Sequence, residues 1–502
     1  MSKINLQLDN SSILQYNEKK TNTVEPLLEI YKGKLYCNII RYFITDCIKT
    51  FGTKIFSIKK SYQRTITNIL SSWMFSLYAN YNFSEDYFFP NNYHDTSILK
   101  IILSDLCKYD NLIVNKEILI DTLLNNLVIY YKSQLEILAK YSLSDLYNNN
   151  KNNFKINKCV YEQKRYNKIV LFYKFTISIK YNIRDKRLQN ILDNILIPIN
   201  IYEKLSNNYT GPKDIIDNYI WAIIYRYQLL GSNNHQLAVL PNTMGQLKTD
   251  FNLNFECFAS AINATFNNYC SIYYDLERHF GSIGSFFDIT PIKGTFGFNP
   301  PYQTDIITNG LTRVLELLDN TNESLTFIVT IPIWDAKGKK IMLEKYNNEK
   351  YITIDYGEFK IIDTIISSKY FKEYKMISKD QFTYIDHNFL LFKNKTIQNT
   401  YVIILSNTNI SKSIENYDFY SYVNSKWLSE TVIPSDKSRY GTFNILDDNT
   451  KDKLKKIIEE AINNKDTNYK KIGILYKQGL KMEKKNFTRE FKLINNILKN
   501  IK

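Results

Sequence analysis

The chain has 502 residues, which is long enough for more than one domain with its own buried core. Hydrophobic residues make up 44% and aromatic residues 15% of it, which excludes a chain that is disordered throughout. The formal net charge of +15 favours a polyanionic partner, although an excess of Lys, Asn, Ile, Tyr and Phe is also typical of AT-rich codon usage, as in a low-GC microbe or a large DNA virus.

Cysteine and histidine spacing gives no pattern for a metal site. The six cysteines include no CxxC pair and the four histidines are dispersed, so we expect reduced thiols and no bound metal. The N-terminus is polar, and no uncharged apolar run reaches the roughly 18 residues of a membrane span. We therefore expect a soluble, intracellular protein without membrane contact, cytoplasmic or nuclear, or in a cytoplasmic viral factory if its source is viral.

The first 235 residues predict a mainly helical domain. Residues 1–25 are polar and are expected to be loose. Over residues 26–235 apolar side chains recur at helical spacing, for example at Leu35, Ile39, Ile40, Phe43 and Cys47. Alternation of apolar and polar residues from Phe175 to Tyr181 interrupts this pattern and predicts a strand with one face in solvent.

Short, dense apolar runs separated by Gly, Pro, Asn and Asp follow in residues 236–440. Runs such as TFGF and LTFIVTIPIW are apolar on both faces, as in parallel strands that are covered on both sides. Residues 303–318 have helical spacing and predict a crossover helix. This alternation predicts an α/β domain. Residues 441–502 are lysine-rich with helical spacing, which predicts a basic helical tail whose face is either solvated or in contact with RNA.

Asn299, Pro300, Pro301 and Tyr302 follow the apolar run TFGF. An adenine N6 amino group is a weak nucleophile because its lone pair is delocalised into the ring. Two acceptors, the amide of Asn299 and the carbonyl of Pro300, can turn this nitrogen towards tetrahedral geometry, and the prolines keep them aimed. Tyr302 can stack on the base. The quartet therefore predicts methyl transfer to adenine N6, and the alternative is a Pro-Pro turn that ends a strand.

A methyl-donor site is expected at the end of an earlier strand, because ligands of open α/β sheets bind at the carboxyl ends of strands. The run FECFASAIN turns through Ala259 and Ser260, whose small side chains let the backbone approach a ligand. It contains no GxGxG motif. Asp288 is a second candidate, either as an acceptor for the cofactor or as a helix cap. No cysteine lies in the NPPY quartet, which argues against carbon-5 methylation of a pyrimidine.

These segments, taken in order over Phe255–Asp335, resemble the cap-specific adenosine N6-methyltransferases, the phosphorylated-CTD-interacting-factor family. FECFASAIN is similar to the family's first strand and loop, FGSIGSFFDITP to the segment that follows, and GTFGFNPPY to a strand that ends in NPPF. The sequence departs from the family at Tyr302, where Phe is expected, at Ala261 and Ile262, where Pro-Leu is expected, and at Ile283, where Arg is expected.

The resemblance implies a Rossmann-like class I S-adenosylmethionine-dependent methyltransferase domain that modifies the adenosine next to the mRNA cap, behind a mainly helical N-terminal domain. It implies that the NPPY quartet is catalytic and that Tyr302 and Trp334 bind the substrate, Trp334 being alternatively a core residue. The implied residues for S-adenosylmethionine are Glu256, Phe258, Ala259, Ser260, Asn263 and Asp288.

Two other functions stay open, an adenine N6-methyltransferase that acts on internal RNA or DNA without a cap, and a catalytically silent RNA-binding scaffold. RNA, with a capped mRNA 5′ end, is the expected partner. The four tryptophans lie too far apart for the paired tryptophans of a WW module, so binding to the polymerase tail is not expected. These tryptophans are Trp73, Trp221, Trp334 and Trp427.

Overall fold

The computed structural model forms two compact units, Met1–Val423 and Asn424–Lys502. The structure describes residues 4–6, 24–53, 56, 62–79, 88–107, 115–140, 155–165, 168–178, 185–231, 236–291, 293–332, 361–379, 381–387, 393–395, 399–409, 441–461, 463, 468–481 and 492.

Helices dominate the N-terminal part of the first unit. After a short strand, its elements in chain order are β1 (Ile4–Leu6), α1 (Pro26–Phe51), α2 (Tyr62–Ala79), α3 (Ser97–Cys107), α4 (Lys116–Ala139), β2 (Ile156–Arg165), β3 (Lys168–Ile177), α5 (Lys186–Asp193), β4 (Leu196–Pro198), α6 (Ile199–Asn208) and α7 (Ile216–Leu230). Helix α1 begins with Pro26, a residue suited to the first turn, where its missing N–H is not needed. Helix α5 begins after Asp185, whose side chain accepts from the backbone N–H of Arg187 and Leu188.

The strand predicted to start at Phe175 is longer at its N-terminal end than the alternation suggested. It is β3, which begins at Lys168 and pairs antiparallel with β2 along its whole length. From Phe175 to Ser178 the exposed Thr176 and Ser178 alternate with the buried Phe175 and the half-buried Ile177, as predicted. Earlier in the strand Phe172, on the same face as Thr176, is fully buried, so the exposed face does not extend along the whole strand. The part of the prediction after residue 178 lies outside the described residues.

A six-stranded sheet forms the second half of this unit. The elements here are β5 (Leu237–Val239), α8 (Pro241–Phe251), β6 (Leu253–Glu256), β7 (Asn268–Tyr269), α9 (Tyr274–Glu277), β8 (Ile289–Pro291), β9 (Gly294–Phe298), α10 (Thr304–Asp319), β10 (Leu325–Pro332), α11 (Ile361–Ile366), β11 (Phe371–Ile377), β12 (Tyr384–Asp386), β13 (Lys393–Lys395) and β14 (Thr400–Ser406). The strand order is β11-β14-β10-β9-β6-β7. Strands β7, β6, β9 and β10 are parallel, and β14 runs antiparallel to both of its neighbours. The predicted α/β architecture is confirmed as a mixed, mostly parallel sheet.

The core of the sheet follows from residues that are apolar on both faces. Every residue of β10 and of β14 is buried, as expected for central strands covered on both sides. The predicted crossover helix is α10, which connects β9 to β10 and buries one apolar face. Gly310 allows α10 to approach the sheet closely, since a Cβ there would lie 2.7 Å from the ring of Phe298.

The connections create a crevice at one point of the sheet. Strand β6 pairs with β7 on one side and with β9 on the other. After β6 the chain first forms β7 at the edge of the sheet, and then crosses to the opposite side of β6 to form β9. The strand order therefore reverses between β6 and β9. In open α/β sheets ligands bind at such a point, outside the carboxyl ends of the strands.

The second unit is helical where the structure describes it. Helix α12 spans Thr442–Ala461, and residues 468–481 are also helical. Several large apolar side chains of this unit are exposed, including Leu475 at 71%. Across both units, none of the helices within the described residues is long and apolar enough to cross a membrane.

Candidate functional site

A pocket lies at the carboxyl ends of β6 and β9, where the strand order reverses. Its floor comes from the loops that follow these two strands and from the end of β7. The helical part of the same unit closes one side with Phe75 and Ala79 of α2 and Tyr227 of α7. The pocket therefore lies between the sheet and the helices that precede it in the chain.

The whole NPPY quartet lines this pocket, and two hydrogen bonds orient its amide. The Nδ2 of Asn299 donates to the carbonyl oxygen of Leu237 over 3.5 Å, and its Oδ1 accepts from the hydroxyl of Tyr302 over 3.2 Å. Together these contacts fix which end of the amide is the acceptor. An amide oxygen has two lone pairs, so Oδ1 keeps the capacity to accept one more N–H.

The two prolines differ in what their carbonyls do. The Pro301 carbonyl accepts from the backbone N–H of Gln303 over 2.7 Å. Within the described ranges, no backbone or side-chain donor is recorded for the Pro300 carbonyl. The site thus offers two acceptors, the Asn299 amide oxygen and the Pro300 carbonyl, one residue apart in the chain. This is the pair that the sequence predicts for an exocyclic amine.

Tyr302 is held from behind by a second tyrosine. Its ring packs edge-to-face against Tyr384 of β12, with ring centroids 5.8 Å apart, and the Tyr384 hydroxyl lies 2.9 Å from Oγ1 of Thr400. Burial raises the pKa of Tyr302 well above its ordinary value. The Tyr302 hydroxyl therefore stays protonated and can donate to Asn299.

The loop after β6 is shaped by its own hydrogen bonds. The backbone N–H of Ser260 donates to Oδ1 of Asn263 over 2.7 Å, and the Ser260 hydroxyl donates to Oε1 of Gln236 over 2.8 Å. Of the residues predicted to hold the donor, Phe258, Ala259 and Asn263 line the pocket, whereas Ser260 is fully buried and does not. The loop thus presents one aromatic, one small and one polar side chain to the pocket.

Glu256 and Asp288 do not line the pocket. The Oε2 of Glu256 accepts from the backbone N–H of Thr265 over 2.6 Å and of Phe266 over 3.0 Å, so its carboxyl supports the turn that leads to β7. Burial raises the pKa of Glu256 to about 7. Burial likewise raises the pKa of Asp288 to about 6, opposed by the nearby charge of Arg313. Trp334, the other predicted substrate residue, lies outside the described residues.

The structure adds pocket residues that the sequence did not indicate. Cys270 and Ser271 follow β7, a strand of only two residues that leaves no periodic pattern in the sequence. Helix α2 is held against the NPPY loop because the Ser76 hydroxyl donates to Oε1 of Gln303 over 3.0 Å. The spacing within α2 predicts a helix but carries no information about which distant loop it contacts.

Fold and pocket together define an α/β protein with a ligand pocket at a topological switch point, walled on one side by helices. Residues 199–357 match the family model described as the phosphorylated CTD interacting factor 1 WW domain. Over this segment, which is less than half of the chain, the protein is similar to the phosphorylated-CTD-interacting-factor family. Although the description names a WW domain, the described residues of the segment fold as the helices and strands given above. Residues 416–502 match the model of peptidase family M13.

Two curated relatives are similar over 121 residues, which is 23% of this chain. The chain is 34% identical there to an mRNA (2′-O-methyladenosine-N(6)-)-methyltransferase of Mus musculus and 33% identical to the protein of the same name from Homo sapiens. The matched stretch spans 17% of the length of each relative.

Proposed function

We propose that this chain is an S-adenosylmethionine-dependent methyltransferase that methylates N6 of adenine in mRNA, at the 2′-O-methyladenosine next to the cap. The observation that carries the proposal is the amide of Asn299, which two hydrogen bonds orient at the switch point of the sheet, next to the Pro300 carbonyl. The names of the mouse and human relatives support the choice of substrate.

The strand order also supports this proposal. Strand β14 is inserted antiparallel between β10 and β11, and the other strands of the sheet run parallel to one another. A mostly parallel sheet with one reversed strand near an edge is compatible with a Rossmann-like class I methyltransferase domain. We therefore assign the catalytic domain to residues 236–440, and the helices before it to a separate layer.

The pocket suits S-adenosylmethionine in its chemistry. Ala259 leaves room for a ligand, Phe258 and Phe286 offer apolar ring surface, and Asn263 and Ser271 offer neutral polar groups for the charged and hydroxyl groups of the methyl donor. When bound there, S-adenosylmethionine supplies a methyl group on a sulfonium, which is already a good leaving group. The protein therefore needs to position the two reactants, and no covalent intermediate on a side chain is required.

The residues of the quartet have separate roles in this mechanism. Asn299 Oδ1 and the Pro300 carbonyl each accept one N–H of the adenine amine, which frees its lone pair for attack. The fixed φ of the prolines keeps the two acceptors aimed. Tyr302 stacks on the base. After the amine nitrogen has gained the methyl group, it must lose one proton. The Asn299 and Pro300 oxygens keep the hydrogen bonds from its N–H groups until that proton passes to water.

The test is labelled S-adenosylmethionine with three substrates: RNA that begins m7G-Am, the same RNA without a cap, and single-stranded DNA. We expect label on the capped RNA and a loss of about 10²–10³-fold in Asn299→Ala, the usual effect of removing one preorganised hydrogen-bonding group. The matched control is Asn309→Ala, an exposed asparagine of α10, which should stay at wild-type activity. Equal labelling of uncapped RNA or DNA would overturn the cap assignment, and full activity of Asn299→Ala would overturn the catalytic assignment.

A further inference from the structure

Glu277 is a fully buried carboxyl behind the pocket, at the end of α9. Its Oε1 accepts from the backbone N–H of Ala261 over 2.8 Å. The hydroxyl of Tyr227 lies 3.4 Å from Oε1 and 3.2 Å from Oε2. The hydroxyl of Ser271, which lies 2.7 Å from Oγ of Ser282, also acts on this carboxyl as a hydrogen-bond partner and lowers its pKa. A single acidic side chain therefore gathers three polar groups.

These three groups belong to three different walls of the pocket. Ala261 lies in the loop after β6, between the pocket residues Ala259 and Asn263. Ser271 follows β7 and lines the pocket itself, and Tyr227 lines it from helix α7. The carboxyl thus connects two loops of the sheet with the helical wall.

Stability alone does not account for an acid at this position. Burial raises the pKa of Glu277 to about 7, although its hydrogen bonds act in the opposite direction. Burying a carboxyl costs free energy, and replacing a whole buried ionic cluster by well-packed apolar residues is often neutral for stability. A buried acid that bonds three pocket walls at once is better explained by the geometry that it imposes.

We infer that Glu277 is a positioning residue for the methyl-donor side of the pocket. By holding the Ala261 N–H and the hydroxyls of Ser271 and Tyr227, it fixes the loop after β6, the end of β7 and helix α7 in the one arrangement that binds the donor. The inference rests on the proposed function. Within the described ranges Glu277 makes no recorded contact with Asn299, so its loss weakens donor binding more than it slows the bound complex.

A matched control lies next to this cluster. Arg226, the neighbour of Tyr227 on α7, is 3% exposed and pairs with Glu29 of α1 and Asp275 of α9, each over 2.8 Å. This ion triad joins α7 to α9 as the Glu277 cluster does, but none of its three members lines the pocket. Glu29→Gln therefore weakens the triad at its contact between α1 and α7, next to the Glu277 cluster, without changing a partner of the donor loop.

The experiment measures the Kd for S-adenosylmethionine by calorimetry, together with the thermal unfolding midpoint. For Glu277→Leu we expect a rise in Kd of about tenfold or more, since three hydrogen-bond partners lose their acceptor. Glu277→Gln keeps an acceptor for Ala261 and restores most of the affinity, and Tyr227→Phe, which deletes one hydroxyl, shows a smaller rise. Glu29→Gln lowers the unfolding midpoint but leaves the Kd within about twofold of wild type. The single-turnover rate at saturating donor stays within about threefold of wild type in all four variants.

Two results would overturn the inference while the proposed function stands. One is a wild-type Kd in both Glu277→Leu and Tyr227→Phe. The other is a Kd that follows the unfolding midpoint in every variant, Glu29→Gln included, because the effect would then be one of general destabilisation. A wild-type chain that binds no donor overturns the proposed function itself, and the inference with it.

Discussion

Tyr302 makes two contributions to the site that mutation can separate. Its ring lines the pocket and is braced by Tyr384, and its hydroxyl donates to Oδ1 of Asn299 over 3.2 Å. The substitution Tyr302→Phe removes only the hydroxyl, whereas Tyr302→Ala removes the ring as well. The ring is proposed to bind the base and the hydroxyl to orient the catalytic amide. Tyr302→Ala should therefore mainly weaken RNA binding, and Tyr302→Phe should mainly lower the rate of methyl transfer.

The expected magnitudes differ accordingly. Stacking of a base on an aromatic side chain contributes about 1–3 kcal/mol, so Tyr302→Ala should weaken RNA binding by roughly 5- to 150-fold. A neutral hydrogen bond contributes about 0.5–1.5 kcal/mol net. Loss of the hydroxyl should therefore lower the rate of methyl transfer by roughly 2- to 12-fold, because the amide of Asn299 is then held by the single contact to Leu237.

The assay combines RNA affinity by fluorescence anisotropy with single-turnover methylation at saturating RNA. Tyr161→Phe, at an exposed tyrosine of β2, serves as the control and should match wild type in both. Weak RNA binding in Tyr302→Phe, equal to that of Tyr302→Ala, would refute the division of roles. A faster methyl transfer in Tyr302→Phe would show that the hydroxyl competes with the adenine amine for the amide oxygen.

Two further predictions concern stability. Gly281 has φ +101°, and a Cβ there would lie 1.8 Å from the carbonyl oxygen of Asn267. Gly281→Ala should therefore lower the free energy of unfolding by about 2 kcal/mol or more, and with it the thermal unfolding midpoint. The control is Gly245→Ala, in open space on α8, which should not lower the midpoint. The pKa of Glu256 is raised to about 7 in the folded state, so between about pH 4.5 and 7 the folded state binds more protons than the unfolded state. The free energy of unfolding therefore falls as the pH rises through this window, by roughly 3 kcal/mol at most. Denaturant titrations at pH 5 and pH 8 should show a smaller difference for Glu256→Gln, and an unchanged difference would contradict this assignment.

The elements that the sequence predicts well are those with strong periodicity. The apolar face of α10 and the continuous apolar run of β10 each point to one structure only, and the structure has both. Strand β2 was not predicted because its sequence, INKCVYEQKR, lacks the alternation that marks a half-buried strand, and its pairing with β3 is a tertiary property. A strand as short as β7 has too few residues to show an alternating pattern, so the sequence does not predict it.

The candidate site divides in a similar way. The chemistry of the NPPY quartet follows from its residue types, and its place at a strand end follows from the apolar run before it. The direction in which Glu256 points is set by the turn at Thr265 and Phe266, which the sequence does not reveal. The roles of Tyr227 and Glu277 depend on contacts between distant segments, for which a single sequence gives no signal.

If the amide of Asn299 directs a methyl group to N6 of adenine, the methyl group must be found on that nitrogen, and the most direct test is to locate it. We would react wild-type protein and capped RNA with S-adenosylmethionine that carries a deuterated methyl group, and then identify the labelled nucleoside by mass spectrometry against synthetic standards. We expect a label on N6 of the adenosine next to the cap. A label on N1, on a ribose oxygen or on a pyrimidine would contradict it.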